Sequence, residues 1–130
     1  MQLAAGELRD KIASPWILFR LVNASAEAGL AERARPVAAS ISDAALRGRA
    51  QLAILKQTLA STAGLADVAL VQQVDRASPA QGIAMEVVAR HNARRGEYAS
   101  VQKLLESDEW SASRPLGQIG IALGLQDATK

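Results

Sequence analysis

The densest group of side chains able to do chemistry is Arg90, His91, Arg94 and Arg95, with Glu86 one helical turn earlier. Such a group could bind an acidic peptide or a phosphate. It also has a plain structural use. Cations near a helix C-terminus gain about 0.3–1 kcal/mol each from its dipole, and Glu86 stands four residues before Arg90, where a helical ion pair forms. His91 is the one histidine of the chain and lies beside an apolar stripe containing Val87 and Val88. A metal site needs further ligands at set spacing, and a general base needs a nucleophile or an orienting carboxylate; the sequence supplies neither at a recognisable spacing. Packing or capping is the expected role of His91. The absence of Cys excludes disulfides, thiolate metal sites and cysteine nucleophiles. With no glycine-rich phosphate loop after a strand, the sequence reads as a non-enzyme without cofactor or metal.

A second cationic group comprises Arg33, Arg35, Arg47, Arg49 and Lys56, and from Ala44 to Ala66 the chain has no acid. Arg47 and Arg49 point about 200° apart on a helix, so both cannot line one groove, and a solvated face is expected. The sequence pI is near 9.4, yet the formal net charge is only +2. That charge is spread along the chain rather than gathered in a basic block, which disfavours a polyanion ligand and leaves nucleic acid as the alternative partner. Trp16 and Trp110 are two of only four aromatic side chains, and both are expected to pack into the core.

The elements that hold these residues follow from composition and punctuation. Apolar residues make up 49% of the 130 and aromatics only 3%, which favours helices and, at this length, a single domain over residues 1–130. Ser14-Pro15 and Ser78-Pro79 are N-cap and first-turn pairs, while Gly29, Gly64 and Gly96 stand where helices end in a left-handed residue. Long helices are expected over 15–28, 43–63 and 79–95. Shorter ones follow the stripes Leu30-Ala34-Val37-Ile41, Leu65-Val68-Val71-Val74 and Tyr98-Val101-Leu105. A helix before Pro15 with Leu3, Leu8 and Ile12, and a last one over 114–125, bring the count to eight. The longest apolar stretch late in the chain, 116–125, is about half the length of a membrane span, so no span is expected. Met1 to Asp10 do not read as a secretory signal, and a cytoplasmic location is the default expectation.

The helices carry a repeat. Gly29-Leu-Ala-Glu-Arg-Ala34 matches Gly64-Leu-Ala-Asp-Val-Ala69 almost residue for residue, and Gly96-Glu-Tyr-Ala-Ser-Val101 follows the same outline, at spacings of 35 and 32 residues. A small residue five positions after the glycine (Ala34, Ala69, then the larger Val101) lets the next helix approach its predecessor. In this period, and in the glycine–acid–tyrosine turn Gly96-Glu97-Tyr98, the chain resembles the tetratricopeptide (TPR) class, although the tryptophan–leucine–glycine opening of that family's first helix is missing. The resemblance implies an all-α fold: a right-handed stack of antiparallel helix hairpins, a TPR-like α-solenoid of about seven to eight helices with units near 1–28, 29–63, 64–95 and 96–125. It further implies a protein-interaction or scaffold module binding a peptide or partner helix on a concave surface lined by the longer helices. That places Asn23, Gln51, Thr58, Glu86, Arg90 and Arg94 at the surface. The family's carboxylate clamp is not visible. Gly117, Gly120 and Gly124 in the last helix predict close packing on a neighbouring helix, either internal, from adjacent repeats of a longer chain, or from a second copy in a homodimer.

Overall fold

Ser14 accepts a hydrogen bond from the Ile17 amide at 3.3 Å, and Pro15 takes the first helical position, where its missing N–H costs nothing. The structure is a computed structural model and describes residues 14–129. Among those residues are six α-helices and no strand: α1 (Pro15–Glu27), α2 (Ala31–Ala39), α3 (Ala44–Ala60), α4 (Ala80–Ala93), α5 (Ala99–Leu105) and α6 (Arg114–Ala128). Two 3-10 segments, Val68–Gln73 and Asp108–Ser113, complete the series. The fold is all-α, and no described helix is long and apolar enough to cross a membrane. The helix expected ahead of Pro15 lies outside the described residues.

Gly29 and Gly96 close α1 and α4 with φ of +82° and +84°, a region strained for any side chain. Gly64 is a correction. It does not adopt positive φ, because α3 stops earlier, at Ala60. The Ser61 hydroxyl donates to the carbonyls of Gln57 and Thr58, and the Thr62 hydroxyl donates to Thr58 at 2.7 Å. Side-chain hydroxyls thus satisfy the carbonyls that a left-handed glycine would otherwise have served.

A second correction concerns the stretch expected as a helix after Gly64. Residues 68–73 form a 3-10 turn, and Leu65 is exposed. Val68, Val71 and Val74 recur strictly every third residue, which matches three residues per turn better than 3.6. Val71 and Val74 are fully buried by this geometry. Ala69, expected to let a helix approach closely, is exposed, whereas Ala34 and Val101 are buried as expected.

The buried side chains form two clusters, and α3 serves both. Leu46, Ala50 and Ile54 of α3 meet Val22 and Ala26 of α1, Ala34 and Ala38 of α2, and Ile41. On its other side, Leu52, Leu55 and Leu59 join the core built by α4, α5, α6 and the two 3-10 segments. The two sets lie on opposite faces because each repeats at three- or four-residue steps, offset by half a turn. Trp110 is buried in the larger core, as expected.

The most extensive helix pair is α4 with α6. Gly117, Gly120 and Gly124 share one face of α6; Gly117 faces Leu105 of α5 and Met85 of α4, while Gly120 and Gly124 lie against the α4 backbone, where a Cβ on Gly124 would come 2.6 Å from the Arg90 carbonyl oxygen and one on Gly120 would collide with the Glu86 carbonyl. The expectation of close packing holds, and the neighbour is internal. Gly48 does the same for α3: a Cβ there would overlap the Ser78 side chain, whose hydroxyl accepts from the Ala80 amide at 3.1 Å at the start of α4.

Candidate functional site

Successive turns of three helices place side chains at helical spacing around one groove. Phe19 and Asn23 come from α1; Arg49, Leu52, Ala53 and Lys56 come from α3; Pro79, Ala80 and Ile83 come from the start of α4. The cavity they enclose is about 380 Å3, within the range of ligand-sized clefts. Its floor is apolar, and among the described residues its two charged side chains, Arg49 and Lys56, are both cations. Ser78 also lines it, but that hydroxyl is bonded to α4.

Trp16 stands one turn before Phe19 on the same face of α1, and the two rings meet edge to face with centroids 6.0 Å apart. The Arg49 guanidinium caps the pair, 5.0 Å from the Phe19 centroid and 5.9 Å from that of Trp16. Trp16 remains 56% exposed, against the expectation that it packs into the core. The inner face of α1 is occupied by Val22 and Ala26, which leaves the first turn on the rim. Ile17 and Leu21 are also exposed on this helix.

Lys56 belongs to a second groove of about 400 Å3, with Val87, Arg90, His91, Arg94 and Arg95 along α4. Most of its polar groups are committed to the fold. Arg90 does not pair with Glu86 as expected; its Nε and Nη2 grip both oxygens of Asp127 on α6, at 2.7 and 3.1 Å, and Arg94 adds a contact of 2.9 Å. The bonds from Arg90 and then Arg94 hold the Asp127 carboxyl well below the usual carboxylate range. Arg95 donates to the carbonyls of Ala63 and His91 at 3.0 and 2.8 Å. His91 Nε2 lies 2.8 Å from the Gly64 carbonyl oxygen; a carbonyl only accepts, so this nitrogen carries the proton. The expected packing and capping role of His91 therefore matches its surroundings.

The remaining candidates lie elsewhere. Gln51 accepts the Asp75 amide at 2.7 Å, which anchors the connection ahead of α4. Thr58 donates to the Ile54 carbonyl and borders a separate cleft with Leu30, Arg33 and Ser61. Of the six candidates, the structure brings Asn23 to the first groove and Arg90 and Arg94 to the second, with Glu86 near Arg90; Gln51 and Thr58 share neither.

The arginines expected on a solvated face diverge, and two of them are half-buried. Arg47 donates to Asp75 at 2.7 Å and to the Ile41 carbonyl at 2.7 Å, while Arg35 bridges Glu32 and Gln73. Arg47, followed by the Ala77 amide, lowers the pKa of Asp75. These contacts tie the 3-10 segment and its flanks to α2 and α3. Asn92, which the sequence reading did not single out, does comparable work. Only 1% exposed, it accepts the Ala66 amide at 2.7 Å and donates to the Ala66 carbonyl at 2.9 Å. A lone amide next to the end of a helix gives no sequence signal for such a reciprocal pair.

The chain matches no protein-family model, and no curated protein or solved structure matches it.

Proposed function

We propose that this chain is a non-enzymatic protein-interaction module, a short right-handed stack of helical hairpins in a TPR-like arrangement that receives part of a partner protein in the groove between α1, α3 and α4. The observation that carries this reading is the groove's apolar floor, Phe19, Leu52, Ala53 and Ile83, continuous with an exposed tryptophan. Exposed aromatic anchors beside apolar clefts are where interface energy concentrates. The order of contacts supports the stack. The longer helices meet in succession, α1 on α3, α3 on α4 and α4 on α6, while α2 touches α1 and α3 and the 3-10 segment Val68–Gln73 touches α3 and α4. Alternate members of stacked hairpins would do the same. The nucleic-acid alternative has less support, since Arg90 and Arg94 already engage Asp127 and Arg95 engages backbone carbonyls.

A photo-crosslinking residue placed at Ala53, on the groove floor, and in a second variant at the exposed Ala69 provides the test. A defined partner identified from the Ala53 adduct should form a complex with the purified protein, and Ile83→Asp should abolish that complex. Equal labelling at both positions, or an Ala53 adduct only with another copy of this chain, would overturn the reading.

A further inference from the structure

Resting on the interaction reading above, we infer that the occupant of the α1–α3–α4 groove is an acidic amphipathic helix. Two features of the groove select it. The first is charge: Arg49 and Lys56 stand one above the other along α3, seven residues apart, and no carboxylate among the described residues lines the cavity. Beyond Lys56 the surface continues into the groove bearing Arg90, Arg94 and Arg95, where, among the described residues, four cations including Lys56 meet two carboxylates, Asp127 and, near Arg90, Glu86. A partner segment lying along this path meets excess positive charge at both ends of an apolar floor. Complementary rim charges of this kind set partner choice and association rate.

The second feature is what the walls cannot offer. All three walls come from helices or their first turns, whose backbone groups are largely bonded within the helix, and no strand edge is exposed among the described residues. An extended peptide laid here would bury amides with few acceptors besides Asn23, and an unmatched buried polar group is costly. A helix brings its own backbone bonds and presents only side chains. Apolar residues at three- and four-residue spacing would then face Phe19, Leu52 and Ile83, while acidic residues on its flanks would reach Arg49 and Lys56.

The experiment is a selection from a display library of amphipathic helices whose polar face is randomised without charge bias, together with an equal library of unstructured peptides. Wild-type protein should enrich acidic helices. Arg49→Glu combined with Lys56→Glu should weaken the selected sequences by roughly tenfold or more and shift enrichment to basic ones, with the variant's melting curve confirming that it is folded. Raising ionic strength should weaken wild-type binding as well. Enrichment of helices without charge bias, or of extended peptides, would overturn the inference while leaving the interaction reading in place. Binders that ignore both the charge reversal and Ile83→Asp would show a different surface at work, and would count against both.

Discussion

Gly120→Ala places one methyl group in the α4–α6 seam and gives a prediction whose sign is opposite to the helix-propensity expectation. On an exposed helix the change would stabilise by about 1 kcal/mol, since glycine is the weaker helix former. Here the new Cβ meets the backbone carbonyl of Glu86 and lies 2.9 Å from the Ala89 Cβ. Neither can swing aside as the tip of a long side chain could, so α6 must move away from α4. Overpacking of this kind costs about 1–3 kcal/mol. Because the clash is with backbone, the upper part of that range applies, about 2–3 kcal/mol; subtracting the propensity gain leaves a net loss of about 1–2 kcal/mol, equivalent to a fall in Tm of roughly 3–12 °C. Urea denaturation followed by circular dichroism reads the difference directly. Gly64→Ala is the internal reference: nothing lies within 4 Å of its Cβ and its φ is not positive, so it should fall within about 0.5 kcal/mol of wild type. If Gly120→Ala proves as stable as Gly64→Ala, or more stable than wild type, then close approach is not what places glycine in α6.

Two further outcomes follow from the side-chain bonds. Asn92→Ala removes both partners of Ala66 and should cost about 1–3 kcal/mol, with faster hydrogen exchange at the Ala66 amide; unchanged exchange there would contradict the assigned bonds. Because Asp127 has its pKa lowered by Arg90 and Arg94, its contribution is complete above the unfolded carboxylate pKa of about 4 and is lost as pH falls toward its folded value. The stability difference between wild type and Asp127→Asn should therefore be largest at neutral pH and vanish in strong acid; a gap that stays constant down an acid titration would show that the ion pair is not its source.

Helix boundaries marked by proline, serine and left-handed glycine were legible because each mark is local: Ser14-Pro15, Gly29 and Gly96 work through their own backbone geometry. Gly64 misled because hydroxyls at Ser61 and Thr62 had already ended the helix, a competing device that leaves the same polar residues in the sequence as any loop. The valines at 68, 71 and 74 were visible as a stripe, but a spacing of three was read as helical when it fits the tighter turn. The groove was only half legible. Asn23 faces it and Arg49 is exposed as expected, yet Trp16, which frames it with Arg49, is expected in the core, because whether a side chain meets a neighbour or water depends on which helices pack and not on the residue itself. The Arg90–Asp127 pair spans 37 residues, and no local pattern announces a bond of that range.

The two-sided burial of α3 has a consequence for how the molecule comes apart. Leu46 and Ile54 belong to one cluster and Leu52, Leu55 and Leu59 to the other, so neither cluster can dissolve while the other keeps its full contact surface. A chain cut after Ser61 would still contain every member of the smaller cluster, but it would turn three leucines outward to water. Loss of α6, by contrast, strips mainly α4. Because both clusters need α3, amide-exchange experiments should find its protons among the last to be released.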